Sequence, residues 1–65
     1  MATARVYINK RVLIDDKLVW TTEDTDIEFH SYSSADAASQ AMEERDELNE
    51  KYATPDVYYS CEMVH

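Results

Sequence analysis

Residues 27–52 read Ile27-Glu28-Phe29-His30-Ser31-Tyr32-Ser33-Ser34-Ala35-Asp36-Ala37-Ala38-Ser39-Gln40-Ala41-Met42-Glu43-Glu44-Arg45-Asp46-Glu47-Leu48-Asn49-Glu50-Lys51-Tyr52, and within this stretch the spacing of apolar side chains changes. Up to Tyr32 apolar and polar residues alternate, as in a half-buried strand, with Ile27 and Phe29 on one face and Glu28 and His30 on the other. From Ser33-Ser34 onward the spacing is helical. A serine stands where it can cap the first free amides, and Asp36 falls in the first turn, where the helix dipole favours negative charge. Ala38, Ala41, Met42, Leu48 and Tyr52 then recur as one stripe of a helix running from about Ala35 to Tyr52. Alanine dominates the first half of that helix, so it can lie close against a sheet. Ala53-Thr54-Pro55 ends it, because proline has no N–H to donate and biases the residue before it toward extended geometry.

Outward from this stretch the chain reads as strands. Residues 56–64 alternate again, with Val57, Tyr59, Cys61 and Met63 on one face. Residues 4–9 place Ala4, Val6 and Ile8 opposite Arg5, Tyr7 and Asn9. Asn9-Lys10 is a candidate turn, since asparagine tolerates left-handed backbone. Residues 11–14 follow as a second short strand, or as a continuation of the first past a bulge. Asp15-Asp16 supplies another turn, residues 17–22 a third strand with Leu18 and Trp20 on one face, and Glu23-Asp24-Thr25-Asp26 a third turn leading into residues 27–32. The expected fold is α+β: a four-stranded antiparallel meander, one helix packed on one face, then a fifth strand (β-β-β-β-α-β, sheet order 5-1-2-3-4).

Sixty-five residues make one domain, 1–65, near the lower limit for a self-sufficient core. Hydrophobic residues are 45% of the chain and include seven aromatics, enough to exclude disorder. With one cysteine and two histidines that do not cluster with it, no disulfide and no zinc site is expected. Packing must carry the fold, in a monomer or a small homo-oligomer. No apolar run reaches the length of a membrane span or of a signal peptide's apolar block, so the expected location is a reducing cytoplasm.

Candidate chemistry is sparse. Glycine is absent, which removes the phosphate-cradling loops. Cys61 falls by strand phase on the inward face, where a cysteine packs as a small apolar residue. His30 is on the outward face of its strand, and His65, the last residue of the sequence, is expected to fray. Asp15-Asp16 and the Glu23–Asp26 run lack the turn glycine and the terminal bidentate glutamate of a calcium loop. Neighbouring acids such as Glu43-Glu44 would need a concave site that separates their environments to act as acid and base. The expectation is no enzyme, no cofactor and no metal.

Charge is the informative feature. The chain carries −8 overall, but residues 1–17 are net +2 and residues 18–65 net −10. The acids form two clusters: Glu23, Asp24, Asp26 and Glu28 around the third turn, and Asp36, Glu43, Glu44, Asp46, Glu47 and Glu50 on the helix. Glu43/Glu47 and Asp46/Glu50 are like charges four apart, which disfavours a helix, and only Glu47/Lys51 has the favourable order. Helix stability therefore does not account for the pattern. An 18-residue helix is about 27 Å long, so its six acids fall one per ~4–5 Å, against one phosphate per ~3.4 Å along each strand of B-DNA. A strongly acidic chain is repelled by nucleic acid and anionic membranes and suits a basic partner.

In build the chain resembles the small acidic inhibitors that bacteriophages encode against host defence, in particular anti-CRISPR proteins of the nucleic-acid-mimic type. The acidic helix Ser34–Tyr52 and the run Glu23-Asp24-Thr25-Asp26-Ile27-Glu28 carry that resemblance. It implies inhibition, in the cytoplasm of a bacterial host, of a basic nucleic-acid-binding host complex such as a CRISPR effector, by occupying the lysines and arginines that hold phosphates. The basic Arg5–Lys17 segment departs from a uniformly acidic mimic. Two other readings compete with this one. The first is a protein-interaction module, such as a phage inhibitor of host RNA polymerase or an antitoxin, acting through Tyr7, Tyr32 and Tyr58 or a sheet edge. The second is an acidic surface that serves salt adaptation alone.

Overall fold

The sheet is built from three long strands instead of five. The computed structural model describes residues 1–64, and His65 lies outside them. Along the chain come β1 (Ala2–Ile14), β2 (Lys17–Ser31), α1 (Ser34–Tyr52) and β3 (Val57–Met63). The sheet order is β2-β1-β3 and both pairings are antiparallel. The α+β class and the helix packed on the sheet therefore stand, while the order is β-β-α-β.

Two expected turns are not turns. At Asn9-Lys10 the chain runs straight on, because the Asn9 side chain finds partners across both neighbouring strands. Its Nδ2 donates to Ser60 Oγ at 2.9 Å and to the Tyr58 carbonyl at 3.4 Å, and its Oδ1 accepts from Thr22 Oγ1 at 2.7 Å. Asn9 is only 6% exposed, so this satisfaction is what allows it to stay. At Glu23–Asp26 the strand bulges instead of reversing. Pairing jumps from Tyr7↔Asp24 to Arg5↔Glu28, which leaves residues 25–27 opposite Val6 alone. Asp26 takes the left-handed conformation (φ 65°), and its N–H donates to the Asp24 carboxylate at 2.8 Å. The Thr25 hydroxyl donates to the Val6 carbonyl at 2.8 Å and accepts from the Ile27 N–H at 3.3 Å. Because the bulge adds two residues, the alternation is not inverted and Ile27 and Phe29 return to the helix-covered face.

The tight turn that joins β1 to β2 is Asp15-Asp16. Both residues have positive φ, 50° and 63°, as a two-residue hairpin loop matched to strand twist requires.

Helix α1 is capped by Ser33, whose hydroxyl accepts the Asp36 N–H at 3.3 Å. Its buried face is centred on Ala37 and Ala41, so the stripe lies to one side of the expected one: Met42 (46%) and Tyr52 (59%) are exposed at its margins. Two methyl groups one helical turn apart let the backbone approach Ala4 and Val6 closely, and a methionine there would hold it away. Around these four packed residues sit Ala2, Ile27, Phe29, Leu48, Tyr59 and Cys61. Asn49 ties the helix to β3, accepting the Tyr59 N–H at 2.7 Å and donating to the Tyr59 carbonyl at 3.0 Å.

Strand β3 accompanies β1 only from Ala4 to Lys10. Beyond that point residues 11–14 and 17–20 continue as a bare two-stranded arm, which gives the molecule its elongated 45 × 23 × 15 Å shape.

Candidate functional site

Strand pairing dissolves the charge segregation seen along the chain, because Arg5 and Lys10 of β1 meet acids of β2 and Arg11 meets Asp56 just before β3. Arg5 reaches Asp24 at 2.9 Å and also contacts Glu28, which in turn approaches His30 Nε2 at 3.2 Å. Lys10 lies 3.5 Å from Glu23, and the Arg11 Nε donates to Asp56 at 2.8 Å. The bulge cluster is thus mostly neutralised within the fold. Of its four acids, Asp26 has no cationic partner among the described residues, and Asp24 serves the bulge itself.

The helix cluster is different. Asp36 is committed to the start of the helix, accepting from Ser31 Oγ at 2.7 Å and Gln40 Nε2 at 3.1 Å. Asp46 pairs with Arg45, whose guanidinium is held above its usual pKa chiefly by that hydrogen bond. Glu47 pairs with Lys51 at 2.7 Å, and the pair shifts both groups: the carboxyl below and the ammonium above their ordinary values, in each case chiefly through their shared hydrogen bond. Glu43, Glu44 and Glu50 have no cationic partner among the described residues, and Glu43 and Glu50 are exposed. Glu43 and Glu50 lie away from the face that Ala37, Ala41 and Leu48 turn to the sheet, whereas Glu44, spaced i+3 from Ala41 and i−4 from Leu48, stands on that face and is half-buried. The structure therefore divides both groups of expected site residues: Glu23, Asp24 and Glu28 of the bulge and Asp36, Asp46 and Glu47 of the helix have partners within the fold, while Asp26, Glu43 and Glu50 are exposed without an ion pair among the described residues.

Two features were missed by sequence reading. The first is the paired role of the β1 cations, which cannot be inferred before the register is known. The second is the arm, where Leu13 (65%), Ile14 (50%), Leu18 (63%), Val19 (42%) and Trp20 (48%) are open to solvent. Trp20 meets Tyr58 edge-on at 5.2 Å between centroids, with the Arg11 guanidinium 5.8 Å from the indole centroid. The signal was present in the sequence as apolar residues on both faces of residues 12–20, a pattern that a sheet covered on one face does not require.

Comparison with protein families, with characterised proteins and with solved structures finds no match for this chain. Function must be argued from its own surfaces.

Other chemistry has little to build on. Cys61 is half-buried against the core and lines a shallow groove of about 220 Å³ between α1 and β3, together with Ala38, Met42, Arg45 and Met63. Its sulfur lies 3.8 Å from Arg45 Nη1. Among the described residues no three His, Cys, Asp or Glu side chains are grouped to hold a metal ion. Among the described residues no helix is long and apolar enough to cross a membrane.

Proposed function

We infer that this chain is a non-catalytic acidic binding protein whose helix α1 occupies a basic, nucleic-acid-binding surface of a host protein complex, as a charge mimic of the anti-CRISPR kind. The supporting observation is the difference between the two acidic clusters: three of the four bulge acids, Glu23, Asp24 and Glu28, lie against Arg5 or Lys10, while Glu43 and Glu50 stand exposed without an ion pair on the outer side of one packed helix. A packed helix holds those charges at fixed spacing, so little ordering free energy is lost on binding. Partner lysines and arginines that hold phosphates would meet carboxylates in their place, and complementary potentials would accelerate encounter. Such binding weakens as salt screens it.

Charge reversal tests the reading. In a pull-down from bacterial host lysate, Glu43→Lys with Glu50→Lys is expected to lose a nucleic-acid-binding complex that DNA also displaces, with affinity lowered at least about tenfold, whereas Tyr58→Ala retains it. The reverse ranking would favour the interaction-module reading, which rests on Tyr32 (94% exposed) and Tyr58 (45%). Unfolding of the wild-type domain near 0.1 M salt, with no partner captured, would point to salt adaptation instead.

A further inference from the structure

The sheet has two outer edges and treats them differently. Backbone groups of Arg11 and Thr3 bond toward the β3 side, Arg11 N–H to Asp56 and Thr3 carbonyl from Val64, so odd-numbered residues of β1 face β3 and even-numbered ones face β2. Through the register, even-numbered residues of β3 bond β1, and Val57 and Tyr59 point their backbone to the outer edge. The first half of that edge is covered, Val57 by a reciprocal bridge to Thr54 and Tyr59 by the Asn49 carboxamide, which leaves only Cys61 and Met63 at the strand's end. On the other side, the pairs Ile14↔Lys17, Val12↔Val19, Lys10↔Thr21 and Ile8↔Glu23 use the odd-numbered backbone of β2. Leu18, Trp20 and Thr22 therefore direct N–H and C=O outward, and nothing among the described residues receives them. An open edge beside exposed apolar side chains is a template for another strand.

We propose that a second copy of this chain covers that edge, with β2 pairing antiparallel to β2 of the partner copy about a two-fold axis at Trp20. Charge selects both the occupant and the register. Centring on Trp20 sets Lys17 opposite Glu23 of the partner copy, twice by symmetry, with Leu18 opposite Thr22 and Val19 opposite Thr21. Lys17 is the one lysine or arginine side chain without an ion pair among the described residues, and Glu23 is 62% exposed with only Lys10 at 3.5 Å. Asp24, which would fall opposite the partner copy's Asp16 beyond the strand end, is already held by Arg5. Centring on Thr22 would bring Asp24 against Trp20 and Asp26 against Leu18, and would run the ladder into the bulge. Centring on Leu18 would leave almost no strand to pair. The same bulge limits the ladder's length, and because the two-fold pairing uses the β2 edge of both copies, association closes at two.

Pairs of equal parity keep their faces, so the dimer is one six-stranded sheet with both helices on the same side, at opposite ends. The interface is one short ladder with Leu18, Val19 and Trp20 covered, less than the ~800 Å² per partner of a standard stable complex. A concentration-dependent dimer with a dissociation constant on the order of micromolar follows. This pairing is independent of what α1 binds.

Sedimentation of the full chain across micromolar concentrations tests the proposal, with the 7.6 kDa chain mass as reference. The expected result is a monomer–dimer equilibrium that Lys17→Glu weakens about tenfold, through two repulsive pairs, and that Lys17→Glu with Glu23→Lys restores. Leu18→Pro should give a folded monomer by circular dichroism, since its N–H points away from β1 and an edge strand tolerates proline there. A wild-type chain that stays monomeric throughout, or a dimer indifferent to both Lys17→Glu and Leu18→Pro, would overturn the proposal. So would an edge occupied by a strand of a different protein while no self-association is seen.

Discussion

The two halves of the β1–β2 hairpin use similar residues, and only one half is covered. Near the open ends of the strands, Ala4, Val6, Ile27 and Phe29 lie under α1 with β3 alongside. Near the turn, Val12, Leu13, Ile14, Leu18, Val19 and Trp20 are at least as apolar, but β3 stops at Lys10 and the helix does not reach them. Burial in this molecule is thus decided by the reach of the last two elements, not by local hydrophobicity. The covered half carries the folding stability and the bare half is available for contact.

Placing a charge in each half should give the largest contrast. Val6 is fully buried at the centre of the packed residues. Val6→Asp leaves an unpaired carboxylate there, at a cost of about 3–5 kcal/mol, comparable with the whole stability of a domain this small. It is expected to abolish the cooperative urea transition. Ile14→Asp, at a half-exposed arm position, is expected to change stability by no more than ~0.5 kcal/mol. Equal destabilisation by both would show that the arm is also part of a packed core.

A smaller effect tests how the covered half is closed. Asn49→Ala removes both hydrogen bonds to Tyr59 and leaves a part-buried N–H and C=O without partners. The expected loss is about 1–3 kcal/mol, together with faster amide exchange at Tyr59. Unchanged exchange at that amide would mean that water replaces the carboxamide without cost. In addition, the variant exposes the outer edge of β3, so its tendency to associate should rise while that of the wild type stays governed by β2.

These comparisons also show what could be read from the chain alone. The helix, its serine cap, Asp36 in its first turn and the last strand were legible because periodicity and capping are local signals. The Asp15-Asp16 turn was legible for the same reason. Asn9-Lys10 and Glu23–Asp26 resemble turns equally well locally. What makes them strand and bulge is the fit to strands far away in sequence: Ser60 and Thr22 for Asn9, Val6 for Thr25. The rotation of the helix stripe toward Ala37 is likewise a packing outcome, since close approach selects alanine over the more hydrophobic Met42. As for the candidate site, the acidic helix was visible in composition and spacing. The neutralisation of Glu23, Asp24 and Glu28 was not, because ion pairing across strands depends on a register that the bulge shifts.

The smallest effect concerns the ion pair on the outer face of α1, where Glu47 and Lys51 are both exposed. Hydrogen bonding to Lys51 lowers the Glu47 pKa in the folded chain, so the pair's contribution is present above the unfolded carboxylate pKa and is lost as pH falls through the folded value. Lys51 is shifted upward by the same contact, so its contribution is present below the unfolded ammonium pKa and is lost as pH rises through the folded one. Between those limits Glu47→Gln should melt slightly below the wild type, and the difference should vanish on the acid side of the carboxylate range. High salt should shrink it at neutral pH, because both groups face solvent. A difference between the two chains that persisted unchanged into acid would mean that Glu47 stabilises the helix by something other than its charge. The same substitution should weaken partner capture less than Glu43→Lys with Glu50→Lys, since it removes an acid that already shares a cation.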